Sequence, residues 1–166
     1  MARRYVLFDA VIGNTDRHQD NWGFVFAPGH QEGPVSCRIA PLFDNGTSLG
    51  HERFADRVKN WSDADCDRYI ACGTHHIGKR RETGASTEKH PDLVGFIVDM
   101  WPATRAVLVD RLTLLETGLP ELLDDLGPLG GPVAFSPDRA AFVRRLLERR
   151  IALLQGIINE PHIPHP

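Results

Sequence analysis

Gly13-Asn14-Thr15-Asp16-Arg17-His18-Gln19-Asp20-Asn21-Trp22-Gly23-Phe24 is the stretch on which the reading of this chain turns. Thr15 to Asn21 is polar throughout and sits between apolar segments. On one side, Tyr5 to Ile12 carries Leu7, Ala10 and Val11 at helical spacing, with Val6 and Phe8 making it apolar on most sides. That pattern predicts a short buried helix, stopped by Gly13-Asn14. On the other side, Trp22 to Ala27 is a compact apolar run ended by Pro28-Gly29, which predicts a strand. Pro28 to Pro34 reads as a turn, and Val35 to Leu42 as a second strand, antiparallel because the connection is short. Asp44-Asn45-Gly46 breaks it. A hairpin with arms of similar length returns the chain to its start, so Asp44 is expected beside Asn21, and Asp16, Asn21 and Asp44 in one small volume.

That trio suits phosphoryl transfer. Mg²⁺ is a hard cation that wants oxygen ligands and takes only one or two carboxylates from a protein, with water and phosphate completing its shell. Asn21 and Asp44 can supply those ligands, and Asp16 can orient an attacking hydroxyl and accept its proton. Kinases divide the labour in this way: a loop aspartate, an asparagine five residues on, and a second, metal-binding aspartate after a hairpin.

The remainder reads as helices. Ser62 begins a short helix over Asp63 to Cys72, with Gly73 after its end. Gly78 to Lys89 reads as an exposed loop. Asp92 to Met100 is helical, Pro102 interrupts or restarts the pattern, and Ala103 to Thr117 continues it to a stop at Gly118, with a turn or two over Pro120 to Leu126. Gly127 to Pro132 reads as a linker. Ser136-Pro137-Asp138 is a strong helix start, and that helix runs to about Ile158 on a stripe of Val143, Leu147, Leu154 and Ile158. Pro161 to Pro166 reads as a disordered tail. One helix, one hairpin and then helices predict a mainly α, α+β domain over residues 1–160, with its motifs in 5–50 and its helical body in 62–159.

Composition agrees. The 166 residues are 42% hydrophobic and 25% charged, enough for a core and wrong for disorder or a disulfide-stapled miniprotein. A net charge of −3 gives no general attraction to nucleic acid or anionic membrane. Cys37, Cys66 and Cys72 lack CxxC spacing and read as free thiols of a reducing compartment. No signal peptide or membrane-spanning run is evident, so a cytoplasmic protein is expected. Arg144, Arg145, Arg149 and Arg150 read first as a solvated helix face and second as a docking patch. Trp22, Trp61 and Trp101 read as core. Cys72, His75 and His76 lack a fourth partner for zinc, and adjacent histidines point apart.

Thr15-Asp16-Arg17-His18-x-x-Asn21 followed by Pro41-Leu42-Phe43-Asp44-Asn45 resembles the HipA-like kinases, the toxin kinases of bacterial toxin–antitoxin systems. Ile12-Gly13-Asn14, Trp22-Gly23-Phe24 and Thr47-Ser48-Leu49-Gly50 extend the likeness, which covers residues 5 to 50. The resemblance implies the helical C-terminal lobe of a kinase-like fold, whose small antiparallel hairpin carries the metal site. It implies Asp16 as the catalytic aspartate, Asn21 and Asp44 as ligands of Mg²⁺ and contacts for ATP, and His18 as the catalytic-loop histidine that packs and orders the loop. The substrate implied is a serine or threonine hydroxyl on a protein. The Asp-Arg-His-x-x-Asn core alone is shared with phosphoinositide kinases, so a lipid-kinase-like fragment is an alternative. Those families follow it with Asp-Phe-Gly-like text, whereas Phe43-Asp44-Asn45-Gly46 stands here.

A kinase also needs a cover for the nucleotide and a lysine for its phosphates. The loop begins about a dozen residues from Met1, Lys59, Lys79 and Lys89 all lie downstream, and no Gly-x-Gly-x-x-Gly occurs. The expectation is a C-lobe without its N-terminal nucleotide-binding lobe: a truncated product, one piece of a split kinase whose other lobe is a separate subunit, or a degenerate module that binds a partner, such as an antitoxin, through its helices. Little or no turnover is expected of the chain alone.

Overall fold

The structure is a computed structural model that describes residues 2–28, 35–77, 87–126 and 135–160. Helix α1 (Ala2–Ile12) is followed by the polar loop, then strands β1 (Phe24–Ala27) and β2 (Ser36–Ile39), α2 (Ala55–Val58) and α3 (Asp63–Ala71). A second small pair, β3 (Thr74–His75) and β4 (Glu88–Lys89), leads into α4 (His90–Met100), α5 (Arg105–Leu126) and α6 (Pro137–Asn159). Both sheets are antiparallel and two-stranded, with Phe24 opposite Ile39 and Thr74 opposite Lys89. The protein is therefore mainly α with a small β component, as its pattern predicts. No helix among the described residues is long and apolar enough to cross a membrane.

Helix α6 is the centre. Its start is the expected one: the Ser136 hydroxyl accepts from the Arg139 N–H at 3.2 Å, with Pro137 in the first turn. Val143, Leu147, Ile151, Leu154 and Ile158 recur at helical spacing and are buried, and α6 packs against all five other helices. Its other side, Phe142 and Leu146, closes a smaller cluster with Val58, Cys66 and Ile70.

Four expectations need correction. Helix α5 does not stop at Gly118 but runs through Gly118 and Pro120 to Leu126. A mid-helix proline costs about 3 kcal/mol. Leu119 and Leu123 continue the buried stripe of Leu108 and Leu112, and burying each contributes roughly 1.5–3 kcal/mol, so packing offsets the break. Glu88 and Lys89 are strand rather than loop, because they pair with Thr74 and His75; the rest of that expected loop, like the linker and the tail, lies outside the described residues. The arginines of α6 are not a solvated face. Arg150 is buried and donates to the Ile12 carbonyl at 3.0 Å, Arg145 donates to the Trp61 carbonyl, Arg149 pairs with Asp63 at 2.8 Å and with Asp67, and Arg144 meets Asp124 at 3.4 Å. Trp101 is not core: it is exposed, with the Arg3 guanidinium 4.3 Å over its ring.

The end of α1 shows how the helical body grips the loop. Gly13 has φ +68°, and the Asn14 N–H reaches back to the Asp9 carbonyl at 3.0 Å, a Schellman-type close. A Cβ at Gly13 would sit 2.1 Å from the Arg150 guanidinium, so only glycine lets α6 cap α1 here.

Candidate active site

Among the described residues, four polar or ionic side chains of the first half of the chain are wholly buried: Asp9, Asn14, Arg17 and His75. Asp9 lies on α1, in a segment whose neighbours are apolar, while Phe8 next to it is exposed. A buried carboxylate needs a partner. Arg17 supplies it, with Nε 3.2 and 3.1 Å from the two carboxylate oxygens and Nη2 2.9 Å from one. His75 adds a third contact, Nε2 to Asp9 Oδ2 at 3.1 Å. Its Nδ1 accepts the Ile77 N–H at 2.9 Å, which assigns the proton to Nε2 and makes His75 the donor to Asp9. Burial pushes the Asp9 carboxyl up, but the hydrogen bonds and charges of His75 and Arg17 outweigh it and hold Asp9 below the usual carboxylate range.

The same arginine reaches the second loop. Arg17 Nη1 donates to the Phe43 carbonyl and to the Asn21 carbonyl at 3.4 Å, and Nη2 donates to Asn45 Oδ1. Asn14 is a second knot. Its Oδ1 accepts the Asp16 N–H at 2.9 Å and the Thr47 hydroxyl at 2.8 Å; its Nδ2 lies 3.5 Å from the Asp44 carbonyl. Its own carbonyl accepts His90 Nε2 at 2.9 Å. Burial drives the His90 pKa down to about 4, so His90 is a neutral donor at physiological pH. The Leu49 N–H reaches the Ile12 carbonyl at 2.8 Å. Residues 43–49 are thus tied at several points to residues 12–21, and the hairpin β1–β2 closes with the Ala40 N–H on the Gly23 carbonyl at 2.8 Å.

On this platform stand the candidate residues. Asn21, in a single 3₁₀ turn at Gln19–Asn21, is buried and donates Nδ2 to the Asp16 carbonyl at 2.7 Å, which leaves its amide oxygen, the atom a hard cation uses, for other partners. Asp16 is half-exposed. Asp44 is exposed, and the structure brings it to the first loop through its backbone and both neighbours rather than through its carboxylate. Its φ of +54° is a left-handed conformation, uncommon for a residue with a side chain. His18 lies half-exposed at the rim; its Nδ1 accepts the Asp20 N–H at 3.3 Å, a local contact that orders the loop. His76, which the motif does not contain, stands over the same rim, Nε2 3.8 Å from Asp16 Oδ1 and its ring edge-on to His18.

Among the described residues, no three His, Cys, Asp or Glu side chains gather as a caged metal ion requires. His75, with both ring nitrogens engaged inside, is no zinc ligand, and His76 turns the other way. Two carboxylates and one amide are a sparse, hard, oxygen-rich set. Such donors are of the kind that Mg²⁺, Mn²⁺ or Ca²⁺ takes, with waters and phosphates completing the shell.

Sequence spacing indicated the hairpin and the three oxygen donors. It missed Arg17, Asp9, His75 and Asn14, and it gave Asn45 only a turn's role, whereas Asn45 receives Arg17. One signal was present: an acid in the apolar segment of α1.

Comparison with known proteins gives one short likeness. Over 41 residues the chain is 46% identical to the serine/threonine-protein kinase CtkA of Helicobacter pylori (strain J99 / ATCC 700824). The aligned part is 25% of this chain and 11% of that kinase, so this chain corresponds to a small fraction of the relative's length. No family model matches, and no solved structure does. What that likeness supports is a relation between part of this chain and a serine/threonine kinase.

Proposed function

We propose that this chain carries the catalytic and metal-facing loops of an ATP- and Mg²⁺-dependent protein serine/threonine kinase of the HipA type. The observation that carries this reading is the tying of residues 43–45 to the loop 14–21 by Arg17 and Asn14. The likeness over 41 residues supports the serine/threonine-kinase part of this reading.

In this reading Asn21 and Asp44 hold Mg²⁺, which when bound neutralises charge on the ATP phosphates. Asp16 orients the substrate hydroxyl and takes its proton as the hydroxyl oxygen bonds to the γ-phosphorus and the bond to the β–γ bridging oxygen breaks, releasing ADP. His18 orders the loop. A protein substrate, and an antitoxin or separate N-lobe subunit, belong to the same proposal. Positioning and electrostatics do most of the work in phosphoryl transfer. These loops by themselves are therefore expected to bind Mg²⁺–ATP weakly and turn over little.

A thermal-shift titration tests this. Mg²⁺–ATP should raise the melting temperature, metal-free ATP should not, and Asp44→Asn should remove the response. No response of the wild-type chain to Mg²⁺–ATP at millimolar concentration would contradict the proposal.

A further inference from the structure

Arg17 does more than neutralise Asp9. A guanidinium has five N–H donors in a planar fork. One edge of the Arg17 fork, Nε and one Nη2 donor, is spent on Asp9. The remaining donors go to the Asn21 carbonyl, the Phe43 carbonyl and Asn45 Oδ1. The last two belong to the residues immediately before and after Asp44. Asp44 is itself left-handed, a backbone state that costs an L-residue roughly 1–2 kcal/mol and persists where its surroundings impose it.

Behind the fork stands a rigid chain. The Ile77 N–H fixes His75, His75 and Arg17 share Asp9, and Asp9, Arg17 and His75 are all 0% exposed. We propose that Asp9, Arg17 and His75 form a buried strut running from β3 through α1, and that Arg17 at its tip is a positioning residue clamping Asp44 from both sides in the left-handed conformation. Because the strut ends on Phe43 and Asn45, it controls where the Asp44 carboxylate leaves the backbone without touching any reacting atom. Its catalytic consequence rests on the kinase reading; the clamp itself does not.

Arg17→Lys keeps the positive charge that Asp9 needs and loses the fork. Asn45→Ala removes one receiving end at an exposed position, so it serves if the lysine variant does not fold. Hydrogen exchange by mass spectrometry reads the clamp. In either variant, peptides covering 43–49 should exchange at least tenfold faster, while peptides of α5 and α6 keep their wild-type rates. Unchanged exchange over 43–49, or equal acceleration throughout, would overturn the clamp.

A parallel arm measures Mn²⁺–ATP binding by calorimetry. If the wild-type chain binds, both variants should bind at least tenfold more weakly, and equal binding would overturn the positioning role. If the wild-type chain does not bind, the kinase reading fails and the exchange arm still decides the clamp.

Discussion

The helical body and the loop platform are built on opposite principles. Around α6 the core is aliphatic: Val143, Leu147, Ile151, Leu154 and Ile158 meet Val94, Val98, Leu108 and Leu112. Under the loops the buried groups are Asp9, Asn14, Arg17, His75 and His90, each bound to a group distant in sequence. Aliphatic packing is graded and forgiving, since a lost methylene costs about 1 kcal/mol. A buried ionic network holds each member in one place, and loss of one partner strands another charge. Such a network suits a surface that must present oxygen donors at fixed positions, and it should make the platform the acid-sensitive half of the molecule.

The largest difference should appear on removing Asp9. Asp9→Ala strands the Arg17 guanidinium and should cost about 3–5 kcal/mol in chemical denaturation. Leu154→Ala, its counterpart in the body, should cost about 2–5 kcal/mol without disturbing the loops. A cost below about 1 kcal/mol for Asp9→Ala would erase the contrast.

Acid should separate the halves next. His90 is held neutral in the fold with a pKa near 4, against about 6.5 unfolded. Between those values the unfolded chain binds the proton and the folded chain does not. Stability should therefore fall as pH drops from 6.5 to 4, by on the order of 3 kcal/mol. Asp9, depressed in the fold, acts below that window: its contribution is present above its unfolded value and is lost as pH falls through its lower folded value. His90→Gln should flatten the loss between pH 6.5 and 4 in urea titrations. A variant with the wild-type slope would show that the acid-sensitive group lies elsewhere.

Asp44→Gly sharpens the comparison in the opposite direction. Glycine relieves the left-handed strain, so the variant should gain about 0.5–1 kcal/mol while losing its response to Mg²⁺–ATP. A loss of stability would mean that the aspartate side chain contributes to the fold. Smallest of all is Ser48→Ala. The Ser48 hydroxyl is the only buried side-chain polar atom without a partner among the described residues, so its removal should change stability by less than about 0.5 kcal/mol, or raise it slightly.

The same contrast explains what could be read from the sequence. Helix α6 was legible because Ser136-Pro137-Asp138 marks its start and its leucines and valines repeat at helical spacing. The β1–β2 hairpin is legible from its two apolar runs, and with it the return of the Phe43 backbone towards that of Asn21, whose carbonyls share Arg17 Nη1. Helix α5 passes Gly118 because local breaker chemistry yields to the burial of Leu119 and Leu123, which only the tertiary partner reveals. The strut was illegible because Asp9 and His75 lie 66 residues apart and no periodicity links them. Asp9 inside an apolar helix required a partner, but nothing in the chain named Arg17 over the other arginines.

The central claim is that the two loops form one cation site, and paramagnetic broadening tests it directly. Mn²⁺ with ATP is titrated into the ¹⁵N-labelled chain and amide signals are followed. Residues 14–21 and 43–47 should broaden together at the same Mn²⁺ concentration, and Asp44→Asn should abolish the effect in both. Broadening confined to one loop, or undiminished in Asp44→Asn, would contradict it.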